Sequence, residues 1–148
     1  MKKVEIRNML ESDIQSVAEI ERMSFSLPWS ENSFLSELHK TRSISKVAVL
    51  DDKLAGYICA DYVLDEGHIL TLAVHPYCRR MGIANALVEH ILEELKSRAC
   101  SVVYLEVRAS NHLAERLYRE FGFKIVGMRK KYYVSPIEDA VIMMLEVQ

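Results

Sequence analysis

The chain has 148 residues, half of them hydrophobic, which is enough for a single domain (1–148) with a substantial core. Its 19 Lys and Arg against 21 Asp and Glu leave a net charge of −2, excluding the global basic field that advertises nucleic acid or an acidic membrane surface. Cys59, Cys78 and Cys100 are odd in number and lack C-x-x-C spacing, so neither a disulfide framework nor a zinc site is expected, and the usage fits a reducing, cytoplasmic compartment. The opening residues turn acidic before any apolar run, unlike a secretion signal. The longest apolar stretch, Ile69 to Val74, is too short to span a bilayer.

Val4 to Met9 predicts a first strand. Ser12 with Gln15 three positions on predicts a capping box, opening a helix to about Met23 that buries Ile14, Val17 and Ala18. Pro28 ends one element, and Ser30 caps a short helix carrying Phe34, Leu35 and Leu38. Ser45–Leu50 and Leu54–Val63 are strand-like and joined by Asp51-Asp52-Lys53, a hairpin signal; Gly67–His75 follows as another strand. From Gly82 the period changes. Ala84, Leu87, Val88, Ile91, Leu92 and Leu95 fall at i, i+3, i+4, i+7, i+8 and i+11, the stripe of an amphipathic helix.

Val102 to Val107 has strand composition but carries Glu106 inside the run, where an unpaired carboxylate costs several kcal/mol if buried. Asn111 then caps a helix expected to bury Leu113, Ala114, Leu117 and Phe121, with Gly122 near its end. Phe123–Val134 and Glu138–Val147 complete the chain as strands. The order β-α-α-β-β-β-α-β-α-β-β predicts an α/β fold, a mixed sheet with helices packed on it.

Two places invite chemistry. Arg79, Arg80 and Gly82 sit at the first turn of the long helix, where free N–H groups, the positive dipole end and forked guanidinium donors favour an anion. An ordinary helix cap with surface arginines is the other reading. The stretch matches neither nucleotide-loop pattern, G-x-x-x-x-G-K-S/T or G-x-G-x-x-G. The second place is Glu106, which is either a general base or one half of an ion pair with Arg108 or a distant lysine.

Arg79-Arg80-Met81-Gly82-Ile83-Ala84 fits Q/R-x-x-G-x-G/A, and with the element order around it the chain resembles the GNAT acetyltransferases. The resemblance implies a mixed central sheet of about seven strands with roughly four helices on both faces, acetyl-CoA as co-substrate and no metal. It implies that Arg79, Arg80, Met81, Gly82, Ile83, Ala84 and Asn85 hold the coenzyme's pyrophosphate. Leu72, Ala73 and Val74 would pair with its pantetheine arm, and Asn111 would touch the coenzyme. Further likenesses in Leu27–Ser30, Leu105–Asn111, Glu115–Phe123, Arg129–Tyr133 and Glu138–Met143 resemble the RimI-type ribosomal-protein alanine N-acetyltransferases. These acetylate the N-terminal alanine of the eighteenth small-subunit ribosomal protein. That likeness implies Glu106 as general base, Tyr118 as general acid, and Leu27, Trp29, Glu106, Tyr132 and Tyr133 along the peptide slot. It implies a protein N-terminus as partner, with neither membrane nor nucleic acid.

The chemistry asks for such groups. An α-amine has a pKa of about 7.7–8.0, so roughly a tenth to a fifth is free at pH 7. A glutamate near 4.3 lies about 3.5 units lower, a mismatch of roughly 5 kcal/mol that burial would narrow. A phenol near 10 can protonate a thiolate whose acid has a pKa of about 8.5. Each residue also has a structural reading: Tyr118 as a core aromatic with a satisfied hydroxyl, Trp29 as a loop anchor. Arg129-Lys130-Lys131 with two tyrosines is either a solvated hairpin or a weak RNA patch. His39, His68, His75, His90 and His112 show no metal-ligand spacing.

Overall fold

In a computed structural model, which describes residues 3–147, the elements follow the predicted order. They are β1 (Val4–Asn8), α1 (Ile14–Ser24), α2 (Glu31–Leu38), β2 (Ser43–Leu50), β3 (Lys53–Val63), β4 (Glu66–Val74), α3 (Ile83–Ser97), β5 (Val102–Arg108), α4 (His112–Glu120), β6 (Lys124–Tyr133) and β7 (Glu138–Glu146). The seven strands form one sheet in the order β1-β2-β3-β4-β5-β7-β6. Every neighbouring pair is antiparallel except β4 and β5, which are parallel and need the α3 crossover between them. The β2–β3 hairpin turns through Asp51 and Asp52, both at positive φ (51° and 64°), the geometry that tight hairpins favour and Asp tolerates.

Both faces of the sheet are covered, so the middle of β3 is buried throughout while its side chains alternate. Tyr57 and Cys59 join Val17, Ala18, Ile20 and Phe34 under α1 and α2. Ile58 and Ala60 join Leu87, Val88, Ile91 and Leu95 under α3, with Tyr118 of α4 and Phe123 just beyond it. Gly56 permits the close seating of α3: a Cβ there would stand 2.9 Å from the Ala73 carbonyl oxygen and 3.3 Å from Ile83. Among the described residues no helix is long and apolar enough to cross a membrane.

Two local expectations are corrected. Ser12 and Gln15 do not cap α1; a 3-10 turn (Glu11–Asp13) precedes it, and the Asp13 carboxylate accepts from the Leu10 N–H at 2.8 Å and from both terminal nitrogens of Arg7. The Asp13 carboxylate, held in place by the matching fork of Arg7, takes the Leu10 N–H, so Asp13 rather than Ser12 serves the free N–H at this entry. Leu113 is not buried but 79% exposed, since the inward face of α4 carries Tyr118 instead. Ser30 and Asn111 cap α2 and α4 as predicted, accepting from Ser33 N–H and Ala114 N–H.

The feature that positions the site is the short contact between the parallel strands. β4 and β5 pair only over Glu66–His68 and Val102–Tyr104. In the β3–β4 ladder Cys59 faces Thr71 and Ala60 faces Ile69, leaving Leu70 as the extra residue of a β-bulge. A bulge bends and twists its strand. Beyond it β4 and β5 diverge, and a cleft opens.

Candidate active site

The cleft is a cavity of about 600 Å³, a volume suited to a small organic ligand. Ile69–Leu72 of β4 and Leu105–Arg108 of β5 form its sides. α4 contributes Asn111, Ala114 and Tyr118; the α1–α2 loop brings Phe25, Ser26, Leu27 and Trp29; and the far end of the sheet adds Tyr133, Pro136 and Glu138. From Ile69 to Val74 one edge of β4 bonds to β3 and the other has no strand partner, so its N–H and C=O groups face the cleft.

Glu106 lines this cavity, but the expectation that it is buried is wrong. Its side chain is 32% exposed and lies 3.2 Å from Arg129 Nε of β6, not against Arg108 or a lysine. The reason is strand alternation: Val103 and Leu105 point into the core under α3, whereas Glu106 points to the opposite face, where the splay leaves no covering helix. Arg129 also stands over the Tyr132 ring at 5.4 Å.

Tyr118 is 4% exposed, and burial alone pushes its phenol above the ordinary value; no hydrogen bond or neighbouring charge contributes. It packs edge-on against Phe123, with ring centroids 5.4 Å apart. Among the described residues its hydroxyl has no hydrogen-bond partner. Tyr133 is half-buried, and burial followed by the charge of Glu106 pushes its phenol up to about 12.

Of the residues singled out in the sequence, Leu27, Leu72, Trp29, Glu106, Asn111, Tyr118 and Tyr133 share the cavity. Tyr132 does not line it, standing half-exposed against Arg129. Ala73 turns its side chain into the core under α1 and α2, and Ile83 is 1% exposed beneath α3, so at these positions only main chain is offered to a ligand. None of the residues from Arg79 to Asn85 lines the cavity; their loop follows the far end of β4. Arg79 Nε reaches the Val74 carbonyl at 3.4 Å; Arg80 (φ 64°) and Gly82 (φ 75°) are left-handed. The first intrahelical bond of α3 runs from Ala86 N–H to Gly82 C=O, so the N–H groups of Ile83, Ala84 and Asn85 precede it. Among the described residues no carboxylate pairs with Arg79 or Arg80 and no cluster of His, Cys, Asp or Glu could hold a metal.

Sequence reasoning missed a second carboxylate. Glu21 is 2% exposed at the cavity wall and accepts from Trp29 N–H (3.1 Å), Thr71 Oγ1 (3.1 Å) and the Tyr57 hydroxyl. The signal was present: Ile14, Val17, Ala18 and Glu21 fall at i, i+3, i+4 and i+7, which puts a carboxylate on the apolar stripe. Replacing Glu21 with leucine would orphan three donors at roughly 1–3 kcal/mol each, so we expect at least about 3 kcal/mol of destabilisation. A lower urea midpoint at unchanged slope would register it; an unmoved midpoint would mean the three donors find other partners.

A splayed mixed sheet whose unpaired strand edge leads to a helix mouth is the scaffold expected of an N-acyltransferase. The sequence profile of the Acetyltransferase (GNAT) family matches residues 14–123, and the chain belongs to that family. The ribosomal protein bS18-alanine N-acetyltransferase of Escherichia coli K12 is 35% identical over 96% of this chain and 97% of its own. A Bacillus subtilis protein provisionally given the same name is 37% identical over 98% of this chain and 97% of its own. The crystal structure of the E. coli ribosomal-protein-S18-alanine N-acetyltransferase superposes with a TM-score of 0.91 at 34% identity, covering 99% of this chain and 95% of that one. The chain is thus an acetyl-CoA-dependent N-acetyltransferase with the seven-stranded, four-helix fold of that family.

Proposed function

We propose that the chain transfers acetyl from acetyl-CoA to the N-terminal amine of proteins beginning with alanine, with ribosomal protein bS18 as its substrate. The observation supporting this most directly is full-length similarity to enzymes of that specificity, joined to a cleft that carries an acid and a base. The free edge of β4 and the guanidinium groups of Arg79 and Arg80, which no carboxylate among the described residues neutralises, fit the coenzyme. The edge from Leu72 to Val74 pairs with the amides of a pantetheine arm. The N–H groups opening α3, from Gly82 to Asn85, with both arginines, receive the pyrophosphate. Asn111 lines the same side, although its side chain is already engaged in capping α4.

When bound, acetyl-CoA supplies the activated acetyl group; the protein positions it and moves the protons. β4 N–H groups donate to the thioester carbonyl and favour the charge that grows there. Glu106 takes the proton that the amine loses as the C–N bond forms, directly or through a water. Tyr118 donates to the departing sulfur, and the phenol is returned to its protonated form from solvent. Leu27, Trp29 and Tyr133 flank the acceptor's first residue. No step needs an acetylated enzyme group.

A panel of short peptides differing in the first residue, incubated with acetyl-CoA and read by mass spectrometry, tests this reading. We expect the bS18 N-terminal sequence and other alanine-first peptides to gain 42 Da, about the mass of one acetyl group in place of a proton, ahead of peptides starting with bulkier residues. Acetylation of small amines with none on alanine-first peptides would overturn it.

A further inference from the structure

Arg108, two residues beyond Glu106 and on the same strand face, is used by no step above. Its guanidinium donates to the Pro136 carbonyl (3.0 Å), the Val134 carbonyl (3.2 Å) and Glu138 Oε1 (3.3 Å), and it stands 4.5 Å over the Tyr133 ring. One of its nitrogens lies 3.5 Å from Ser26 Oγ, which itself donates to the Ser135 carbonyl at 2.9 Å. Ser110 and Arg108 hold the Glu138 carboxyl below the usual carboxylate range, so this partner stays ionised at neutral pH.

The turn between β6 and β7 depends on these bonds. Among the described residues none of the carbonyls of Val134, Ser135 and Pro136 accepts from a backbone N–H. Ser135 is left-handed (φ 56°), and Val134 and Ile137 are 58% and 70% exposed, so beyond the Tyr133–Glu138 ladder pair at its base little local bonding or packing fixes the turn. All three carbonyls are instead taken by Arg108 and Ser26, from β5 and the α1–α2 loop. Those two segments and this turn carry Leu27, Tyr133 and Pro136 on the cavity wall.

We propose that Arg108 is a positioning residue for the acceptor: its guanidinium locks the β6–β7 turn to β5 and, through Ser26, to the α1–α2 loop, setting the width of the slot that receives the peptide N-terminus. A planar fork with five donors can hold two carbonyls and a carboxylate while stacking on Tyr133. A lysine ammonium keeps the charge but not that geometry. Arg108 acts on the acceptor end and leaves the β4 edge and the α3 mouth untouched. The functional part of this proposal rests on the reading of the cavity as a peptide slot; the lock itself does not.

The test pairs kinetics with hydrogen exchange on Arg108→Lys and Ser26→Ala. Arg108→Lys is expected to raise the KM for an alanine-first peptide at least about tenfold, with KM rising more than kcat falls and acetyl-CoA affinity held within about twofold. Deuterium uptake should rise together in residues 24–28 and 133–137. Ser26→Ala should reproduce the coupled uptake with a smaller KM effect, and it serves alone if Arg108→Lys fails to fold. Unchanged uptake at 133–137 would overturn the lock, as would acetyl-CoA affinity falling as far as peptide affinity. If wild-type protein acetylates no alanine-first peptide, the proposed substrate is wrong, and the exchange data still judge the lock.

Discussion

Glu106→Gln is expected to lower kcat/KM for an alanine-first peptide by about 10²–10⁴-fold at neutral pH, the range general-base catalysis supplies, while calorimetry shows acetyl-CoA affinity unchanged. Glutamine keeps the shape and one acceptor oxygen for Arg129 but cannot take the amine's proton. Stability should hardly change. The Glu106–Arg129 pair is half in solvent (side chains 32% and 58% exposed), and such pairs are worth about 0–1 kcal/mol. The deficit should narrow as pH rises, because hydroxide increasingly substitutes for the missing carboxylate and more of the amine is already free. A variant with wild-type kcat/KM at every pH would show that Glu106 serves only its ion pair.

Tyr118→Phe should cost about 10²-fold in kcat with no loss of stability. Among the described residues the hydroxyl makes no hydrogen bond, so removing it orphans none of them, and the ring keeps its place against Phe123. This separates catalysis from packing: a merely structural tyrosine would leave kcat intact. The pH dependence carries a sign as well. Burial raises the Tyr118 phenol above its ordinary 10.0, so the proton needed by the leaving sulfur is present below that raised value and lost only above it. The rate profile should therefore show no alkaline fall from Tyr118 between pH 7 and pH 10. A decline centred near pH 8 or 9 would assign the acid elsewhere.

Acceptor and donor ends of the cleft differ in how they are built. In the proposed reading the donor end rests mainly on main chain, the free β4 edge and the α3 mouth, with the Arg79 and Arg80 side chains beside them. The proposed acceptor end is held by side chains that reach across to main chain, Glu21 tying Trp29 to β4 and Arg108 tying the β6–β7 turn to β5. Substitutions at the acceptor end should therefore change which peptide is accepted before they change the use of acetyl-CoA.

The element order, the caps at Ser30 and Asn111, the hairpin at Asp51-Asp52 and the α3 stripe were all readable from the chain, because each depends on residues within a few positions of one another. Arg79 to Gly82 and Glu106 stood out in the chain as chemically unusual, and Tyr118 only through the family resemblance. Burial was not readable. The run from Val102 to Val107 looks continuously apolar, yet alternation sends Glu106 to a face whose cover depends on where β4 goes after its bulge at Leu70. The capping role expected of Ser12 goes to Asp13, which Arg7 holds in place as β1 leads into α1.

Local spacing was enough to specify which helices and strands form and which side chains are chemically unusual, since periodicity and capping act over one or two turns. Whether Glu106 meets solvent, whether Tyr118 finds a partner and what Arg108 holds depend on pairings 23 to 28 residues apart and more, such as Glu106 with Arg129 and Arg108 with Pro136. Those follow from sheet order, and sheet order is settled by burying both faces at once rather than by any stretch of chain taken alone.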